Sequence, residues 1–125
     1  MMLVPTYVAA SAIHGLGLFA AEPIAAGTIV WRFAPGLDQV IPPERVNDLP
    51  AHARAFLDRY AFESAFFPNG LLLSFDDTRF INHADDPNID NTGIDSIARR
   101  DIAANEELTC DYRELDGDVA FVGGA

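Results

Sequence analysis

Short apolar runs separated by glycine and proline dominate the chain, and they predict small strands in place of long helices. Leu3–Ala10 and Thr28–Phe33 are rich in aliphatic, β-branched and aromatic residues, a composition typical of strands. Leu71–Phe75 and Ile94–Arg99 repeat the pattern, and a further short apolar segment ends at Cys110. We therefore predict a mainly β, or α+β, domain without repeated βαβ units.

The middle of the chain changes to helical periodicity. Two prolines precede Glu44, which favours a short helical turn. Apolar residues then recur at helical spacing and predict an amphipathic helix over about Pro50–Phe62. A Pro-Asn-Gly sequence at 68–70 is a turn signal. These features together predict a helical insertion, about residues 42–66, within the strands.

Length, composition and charge limit the classes of function. The chain has 125 residues, of which 50% are hydrophobic, enough for one domain with a core. It carries 19 acidic and 8 basic residues and a net charge of −11. This charge argues against direct binding to a nucleic-acid backbone. It favours a basic peptide or protein as partner, although acidity also serves solubility.

The number of cysteines and the composition of the N-terminal segment indicate where in the cell the protein is expected. A single cysteine, Cys110, excludes an internal disulfide and a zinc cluster of several thiolates. The first 20 residues carry no charge, but proline and glycine interrupt them and no basic leader precedes them. We read them as the first strands of a domain, with no membrane partner, and expect a cytoplasmic location.

Three separated clusters carry candidate chemistry. In the first, residues 14–20, two glycines let the chain turn sharply and bring its backbone against a ligand, although such a pair often only separates strands. In the second, residues 79–88, adjacent Asn82 and His83 need polar partners if buried, which a hydrogen-bonded turn also provides. The third, residues 98–112, ends at Tyr112, for which a core aromatic with a bonded hydroxyl is the alternative.

Metal and hydrolase chemistry find little support in these clusters. Asp86, Asn88 and Asp90 alternate like calcium ligands, but the glycine and glutamate of a calcium loop are missing. His83 and its acidic neighbours lack a second histidine at ligand spacing. Cys110 has no identifiable base in the sequence. We expect no metal and no hydrolase.

Taken together and in this order, the clusters resemble the SET domain, the family of protein-lysine methyltransferases that use S-adenosylmethionine. The segments R-F-I-N-H-x-x-x-P-N and E-E-L-T-x-D-Y carry the resemblance, which covers about residues 14–112. It implies a β-clip fold in which the C-terminal segment passes beneath a loop as a pseudoknot and joins the second and third clusters. Residues 1–125 would form a single SET domain with a short tail, 113–125.

The resemblance also implies a role for each matching residue. Tyr112 matches the tyrosine at the methyl-transfer centre. The cofactor-binding set comprises a glycine loop and the segment that cradles the amino-acid and adenosine parts: Gly15, Leu16, Gly17, Arg79, Phe80, Asn82 and His83. The candidate lining of the lysine channel is Tyr60, Phe62, Cys110 and Phe121.

Several positions depart from the common pattern of the family. Ala84 and Asp85 replace the usual serine and cysteine, and Cys110 stands where an aromatic residue is common. The number of methyl groups transferred is therefore open. No cysteine-rich zinc module follows, and Phe121 and Val122 in the tail are the candidate apolar lid. A second copy of the chain is a candidate partner that would complete this minimal unit.

The resemblance implies transfer of a methyl group from S-adenosylmethionine to a lysine amine of a basic protein. The glycine pair, Asn82, His83 and Tyr112 favour this activity, since a scaffold would not need all of them. A non-catalytic SET-fold module that binds a basic partner is the alternative, because Cys110 and the short tail depart from the family pattern.

Overall fold

The computed structural model describes residues 1–116, so the predicted roles of Phe121 and Val122 lie outside the described residues. Ten short strands make up most of the regular secondary structure of these residues. They are β1 Thr6–Ala10, β2 Leu16–Ala20, β3 Ile29–Trp31, β4 Gln39–Ile41, β5 Phe62–Ser64, β6 Phe67–Leu73, β7 Asn82–His83, β8 Ile89–Asp90, β9 Ser96–Ala98 and β10 Thr109–Cys110. The helices are α1 Pro43–Asn47, α2 Ala51–Tyr60 and α3 Arg113–Asp116, with a 3-10 turn at Asp77–Phe80.

Strands β1 and β2 form an antiparallel hairpin that presents the first cluster at its turn. Thr6 pairs with Ala20 at the open end, and Ala9 pairs with Gly17 near the turn. Gly15 makes the turn with φ +49°, a left-handed conformation that favours glycine. Gly17 lies inside β2, so Gly15 alone makes the sharp turn that the sequence predicted for the glycine pair.

The five-stranded sheet has the order β3-β9-β8-β10-β7. Strand β10 lies between β7 and β8 and runs parallel to both. The loop that joins β7 to β8 therefore crosses over β10, close to the C-terminal end of the described chain. This crossing brings the second and third clusters together, and the mainly β fold with a pseudoknot is confirmed.

The smaller sheet, in the order β4-β6-β5, contains the insertion. The turn predicted at 68–70 is wrong, because these residues lie inside β6 and the chain turns at residues 65–66. At Gly70, a Cβ would stand 2.0 Å from the Ile41 carbonyl oxygen. Position 70 therefore requires glycine because β6 packs closely on β4, and not because the chain reverses direction there.

Helix α2 covers most of the predicted helix but stops two residues early, because Phe62 starts β5. Leu57 is its buried residue, whereas Phe56, which belongs to the apolar positions at helical spacing, is 44% exposed. Within residues 1–116, no helix is both long enough and apolar enough to span a membrane.

The core lies between the hairpin and the five-stranded sheet. Its fully buried side chains belong to strands or to the bridges beside them, and Phe80, Ile81 and Tyr112 pack against their edge. The core residues are Leu18, Ala20, Ile24, Val30, Ile89, Ala98, Ile102, Leu108 and Cys110. Because Ile89 and Cys110 come from strands on either side of the crossing, burial of apolar surface stabilises the pseudoknot itself.

Candidate active site

One large cavity of about 940 Å³ opens between the hairpin turn, the end of α2 and the pseudoknot strands. This volume is within the usual range of ligand sites. It is lined by most of the residues that the sequence predicts for a site: Gly15, Leu16, Tyr60, Phe62, Arg79, Phe80, Asn82, His83, Cys110 and Tyr112. Gly17 is not among its lining residues.

The Asn82 carboxamide fixes the glycine loop to the pseudoknot. Its Nδ2 lies 3.1 Å from the carbonyl oxygens of both His14 and Leu16, and 3.0 Å from the Glu107 carboxylate. His14 and Leu16, whose carbonyl oxygens accept two of these bonds, flank Gly15 in sequence. Asn82 therefore determines how the loop faces the cavity, besides lining the cavity itself.

Ser11 and Glu107 support this arrangement, and neither residue was predicted from the sequence to have a role. The Ser11 hydroxyl donates to the Glu107 carboxylate at 2.8 Å and accepts from the Ile13 N–H at 2.9 Å. A Cβ at Gly17 would stand 2.4 Å from Glu107 Oε2. Gly17 thus makes room for the carboxylate that orders the loop. The one available signal was the position of Glu107 in E-E-L-T-x-D-Y.

Asn88 fastens the loop that crosses over β10. Its buried carboxamide donates to the Glu107 carbonyl at 2.8 Å and accepts from the Thr109 N–H at 2.8 Å. The Asn88 N–H in turn donates to the Thr109 hydroxyl. The oxygen that a calcium site would need is engaged with the backbone, so the calcium alternative does not fit this residue.

His83 orients the chain at Tyr112. The backbone N–H of Tyr112 donates to His83 Nδ1 at 3.1 Å, and His83 Nε2 lies 3.1 Å from Asp85. Since Nδ1 accepts a hydrogen bond, the proton of the neutral ring is placed on Nε2, from which it donates to Asp85. The histidine is thus used to position the backbone beside the cavity.

Two ionisable groups at the cavity are held in their neutral forms. The Tyr112 hydroxyl donates to the Ile81 carbonyl at 2.8 Å, and burial raises the pKa of this phenol to about 12. Burial, together with nearby Glu114 and Asp111, raises the pKa of the Cys110 thiol well above its usual range. Neither group supplies an anion at neutral pH, so Tyr112 can orient a substrate but not act as its base.

The far wall of the cavity is aromatic. The Tyr60 ring lies 6.1 Å from the Phe80 ring, and the Arg79 guanidinium sits 4.7 Å above the Phe80 ring. Exposed apolar side chains border the same opening: Ile13, Leu16, Phe66 and Ile94. Such a surface suits an occupant with an apolar stem and a charged or polar end.

The structure thus brings together three clusters that lie at residues 14–20, 79–88 and 98–112 of the sequence. In the described part of the chain, no group of three His, Cys, Asp or Glu side chains is arranged to hold a metal ion. The described cavity lining combines neutral polar side chains and aromatic rings with the guanidinium groups of Arg59 and Arg79.

Comparison with known proteins identifies the same stretch of chain. Residues 15–113 match the sequence profile of the SET domain. The H3 lysine-4-specific histone-lysine N-methyltransferase of Eremothecium gossypii is 36% identical over 125 aligned positions, which cover 87% of this chain. The chain spans 12% of the length of that curated relative.

Solved structures share the fold. Apo polycomb repressive complex 2 carrying mutations in its Ezh2 subunit matches 92% of this chain at 28% identity and a TM-score of 0.65, over 16% of that chain. The same complex bound to S-adenosylmethionine matches 91% at 25% identity and a TM-score of 0.62, again over 16% of that chain. A candidate histone methyltransferase of Plasmodium falciparum matches 89% of this chain and 95% of its own, at 25% identity and a TM-score of 0.60.

Proposed function

This chain belongs to the SET domain family, and from that premise we propose that it is an S-adenosylmethionine-dependent protein-lysine N-methyltransferase. One observation carries the proposal. The glycine loop, Asn82 and Tyr112 border a single cavity, although they lie in three separate parts of the sequence. The matching relative is itself a histone-lysine methyltransferase, and a structural neighbour binds this cofactor.

The residues at the glycine loop fit the amino-acid end of the cofactor. Asn82 Nδ2 is engaged with the loop, whereas no described residue donates to its Oδ1, which is free to accept from an ammonium group. A Cβ at Gly15 would meet nothing within 4 Å, so the left-handed φ and not crowding explains the glycine. His83, Arg79 and Phe80 also line the cavity and would enclose the remainder of the cofactor.

When bound, S-adenosylmethionine supplies an electrophilic methyl group on a sulfonium. The lysine nitrogen forms the new N–C bond with its lone pair, the C–S bond electrons go to sulfur, and the nitrogen loses a proton to solvent. The amine must enter neutral, and its ordinary pKa is about 10.4. An apolar wall and an adjacent positive charge both lower that pKa.

The chain's own contribution is alignment. The Tyr112 hydroxyl donates a hydrogen bond to the Ile81 carbonyl, which fixes the phenol group at the cavity where it can orient the amine. Fixing the nucleophile against the methyl carbon supplies part of the roughly 7–11 kcal/mol available from positional control. Since the pKa of Tyr112 is about 12, the phenol keeps its proton throughout the neutral range.

The substrate in this proposal is a basic protein. The net charge of −11 favours approach of a lysine-rich segment. Asp85 and Asp86, beside His83 at the cavity, have side chains that are 89% and 94% exposed. A cytoplasmic location and assembly with a second copy remain part of the proposal.

Transfer of labelled methyl groups from S-adenosylmethionine to purified core histones tests the function. We expect label on lysine, identified by mass spectrometry of the digested histones. Binding of histones without binding of the cofactor would instead indicate the non-catalytic module. Labelling of residues other than lysine would contradict the proposed acceptor.

A further inference from the structure

Two arginines line the cavity of a chain whose net charge is −11. Arg59 lies near the end of α2, and Arg79 lies in the 3-10 turn. Within residues 1–116, neither of them forms an ion pair with a carboxylate. Four other arginines each pair with an acidic side chain: Arg32, Arg99, Arg100 and Arg113. The cavity thus carries positive charge that the described residues do not neutralise.

The Tyr60 ring lies close to both guanidinium groups. The Arg59 Cζ is 5.4 Å from the ring centroid, and the Arg79 Cζ is 5.8 Å from it. Cation–π attraction at this distance holds a guanidinium in place but leaves its charge and its N–H donors available. Arg79 uses one donor on the Asp76 carbonyl at 3.1 Å. In the described part of the chain, the five donors of Arg59 meet no acceptor.

Arg59 lies at the mouth of the cavity. Its side chain is exposed, whereas the next residue, Tyr60, is partly buried and also lines the cavity. The exposed apolar side chains of Phe66 and Ile94 border the same opening. Arg79 belongs to the segment that would enclose the cofactor. Arg59 is therefore the guanidinium that remains for a peptide lying across the opening.

The chemistry of a guanidinium defines what this position can bind. Its planar fork donates two parallel N–H bonds to a carboxylate or a phosphate group. A segment that contains only lysines offers no such acceptor, and its charge is repelled by Arg59. The rest of the surface is acidic and attracts basic residues. A substrate with an oxyanion close to the acceptor lysine and basic residues further away satisfies both regions.

We propose that Arg59 is a specificity-determining residue that binds an oxyanionic side chain, a carboxylate or a phosphate, near the acceptor lysine of the substrate. This inference rests on the proposed methyltransferase function and names a class of substrate for it. The contact does not involve the reacting atoms and is the same in the ground state and the transition state. It therefore lowers KM and leaves kcat unchanged.

Synthetic peptides test this preference without knowledge of the natural substrate. Each peptide carries one lysine in a neutral host, with alanine, aspartate or phosphoserine at each flanking position in turn. Transfer of labelled methyl groups gives KM and kcat, and fluorescence anisotropy with S-adenosylhomocysteine, which cannot donate a methyl group, gives Kd. At one flanking position we expect KM and Kd to be about three- to tenfold lower for aspartate than for alanine.

Phosphoserine distinguishes the two sources of the oxyanion. A phosphate has more negative charge and more acceptor oxygens than a carboxylate, so we expect its KM to be lower still. Tighter binding of both peptides would support a site for either group. A gain with phosphoserine alone would support a site for phosphate.

Three variants assign the preference to the Arg59 guanidinium. Arg59→Gln removes the charge, so KM for the aspartate peptide should rise to that for the alanine peptide at constant kcat. Arg59→Lys keeps the charge without the fork and should retain part of the preference. Arg54→Gln is the matched control, because Arg54 is exposed on the same helix and does not line the cavity. It should keep the full preference.

The remaining outcomes separate this inference from the proposed function. Equal KM and Kd for all three peptides, or an unchanged preference in Arg59→Gln, would overturn the inference and leave the methyltransferase function intact. A lower Tm of Arg59→Gln with an equal rise of KM for every peptide would show a structural role instead. An Arg59-dependent preference in binding without transfer to lysine would overturn the function but not the oxyanion site. Neither binding nor transfer by the wild type would overturn both.

Discussion

The two walls of the cavity are built in different ways. On the pseudoknot side, the side chains of Asn82 and Asn88 donate to backbone carbonyls of other segments, and the Glu107 carboxylate accepts from the Asn82 carboxamide. On the insertion side, the described side-chain hydrogen bonds of residues 39–73 are sparse, and aromatic contacts take their place. The ring centroids of Phe56 and Tyr60 are 4.9 Å apart.

The difference matches what each wall has to bind. A cofactor of fixed structure suits a wall whose polar groups are held in one arrangement. A lysine side chain from a variable protein segment suits an apolar wall with exposed rings, which loses little when the contacts change. The polar residues of the pseudoknot side, here called the rigid wall, therefore occur in recognisable sequence motifs. The residues of the insertion side, here called the apolar wall, do not.

Among variants of the two walls, we expect the largest loss of activity from Tyr112→Phe, which lies where the two walls meet. Removing one preorganised polar contact to the reacting group should lower kcat by about 10²–10³-fold. The affinity for S-adenosylmethionine should remain within about twofold, because the ring still packs against the core edge. Steady-state kinetics on core histones and calorimetry measure the two quantities.

Tyr7→Phe is the matched control for Tyr112→Phe. The Tyr7 hydroxyl donates to Asn105 at 2.8 Å, at an exposed site that is not part of the cavity lining. Its kcat should equal that of the wild type. An equal kcat in Tyr112→Phe would remove the hydroxyl from the chemistry.

Asn88→Ala should destabilise the rigid wall as a whole. The change leaves the buried Thr109 N–H and the Glu107 carbonyl without partners, at a cost of about 3 kcal/mol in the free energy of unfolding. Urea denaturation measures the free energy of unfolding, and Asn69→Ala, at an exposed position of β6, is the control. A loss below about 0.5 kcal/mol would mean that the crossing loop is held by apolar packing alone.

Glu107→Ala should loosen the glycine loop without unfolding the protein. Ser11 and Asn82 lose a shared acceptor, so we expect the Kd for S-adenosylmethionine to rise by about tenfold. Calorimetry with Glu107→Ala and the exposed control Glu22→Ala tests this expectation. Unchanged affinity in Glu107→Ala would show that Asn82 alone orders the loop.

Phe66→Ser changes the apolar wall of the cavity, and we expect it to have the smallest effect of these variants. Phe66 is 44% exposed at the cavity opening, so stability should hardly change, while KM for core histones rises a few-fold at constant kcat. Phe75→Ser is the matched control, since Phe75 is 49% exposed and does not line the cavity. A large fall in kcat would place Phe66 in the alignment of the amine.

The sequence motifs contain the residues of the rigid wall, whereas Tyr60 and Phe62 of the apolar wall, which also line the cavity, belong to no motif. Asn82, His83 and Tyr112 occur in ordered motifs, because hydrogen bonds to fixed backbone groups tolerate few residue types. The role of Gly17 depended on Glu107, which is distant in sequence, so no local pattern could reveal the close contact.

In the insertion, by contrast, local sequence signals were present but gave a wrong prediction. Local signals predicted a turn at Gly70, but tertiary packing of β6 against Ile41 decided the conformation. Ser11 was missed because a polar residue after a short strand resembles an ordinary loop residue. Its hydrogen bond to Glu107 joins positions 96 residues apart, which periodicity along one segment cannot describe.

The central claim is that three distant clusters form one cofactor-binding wall, and calorimetric titration with S-adenosylmethionine tests it most directly. The wild type should bind the cofactor saturably, and Asn82→Ala should weaken binding by about tenfold to a hundredfold, since it loses both a ligand contact and the loop's anchor. Asn47→Ala should bind like the wild type. Wild-type affinity in a folded Asn82→Ala variant, or no binding by the wild type, would contradict the account.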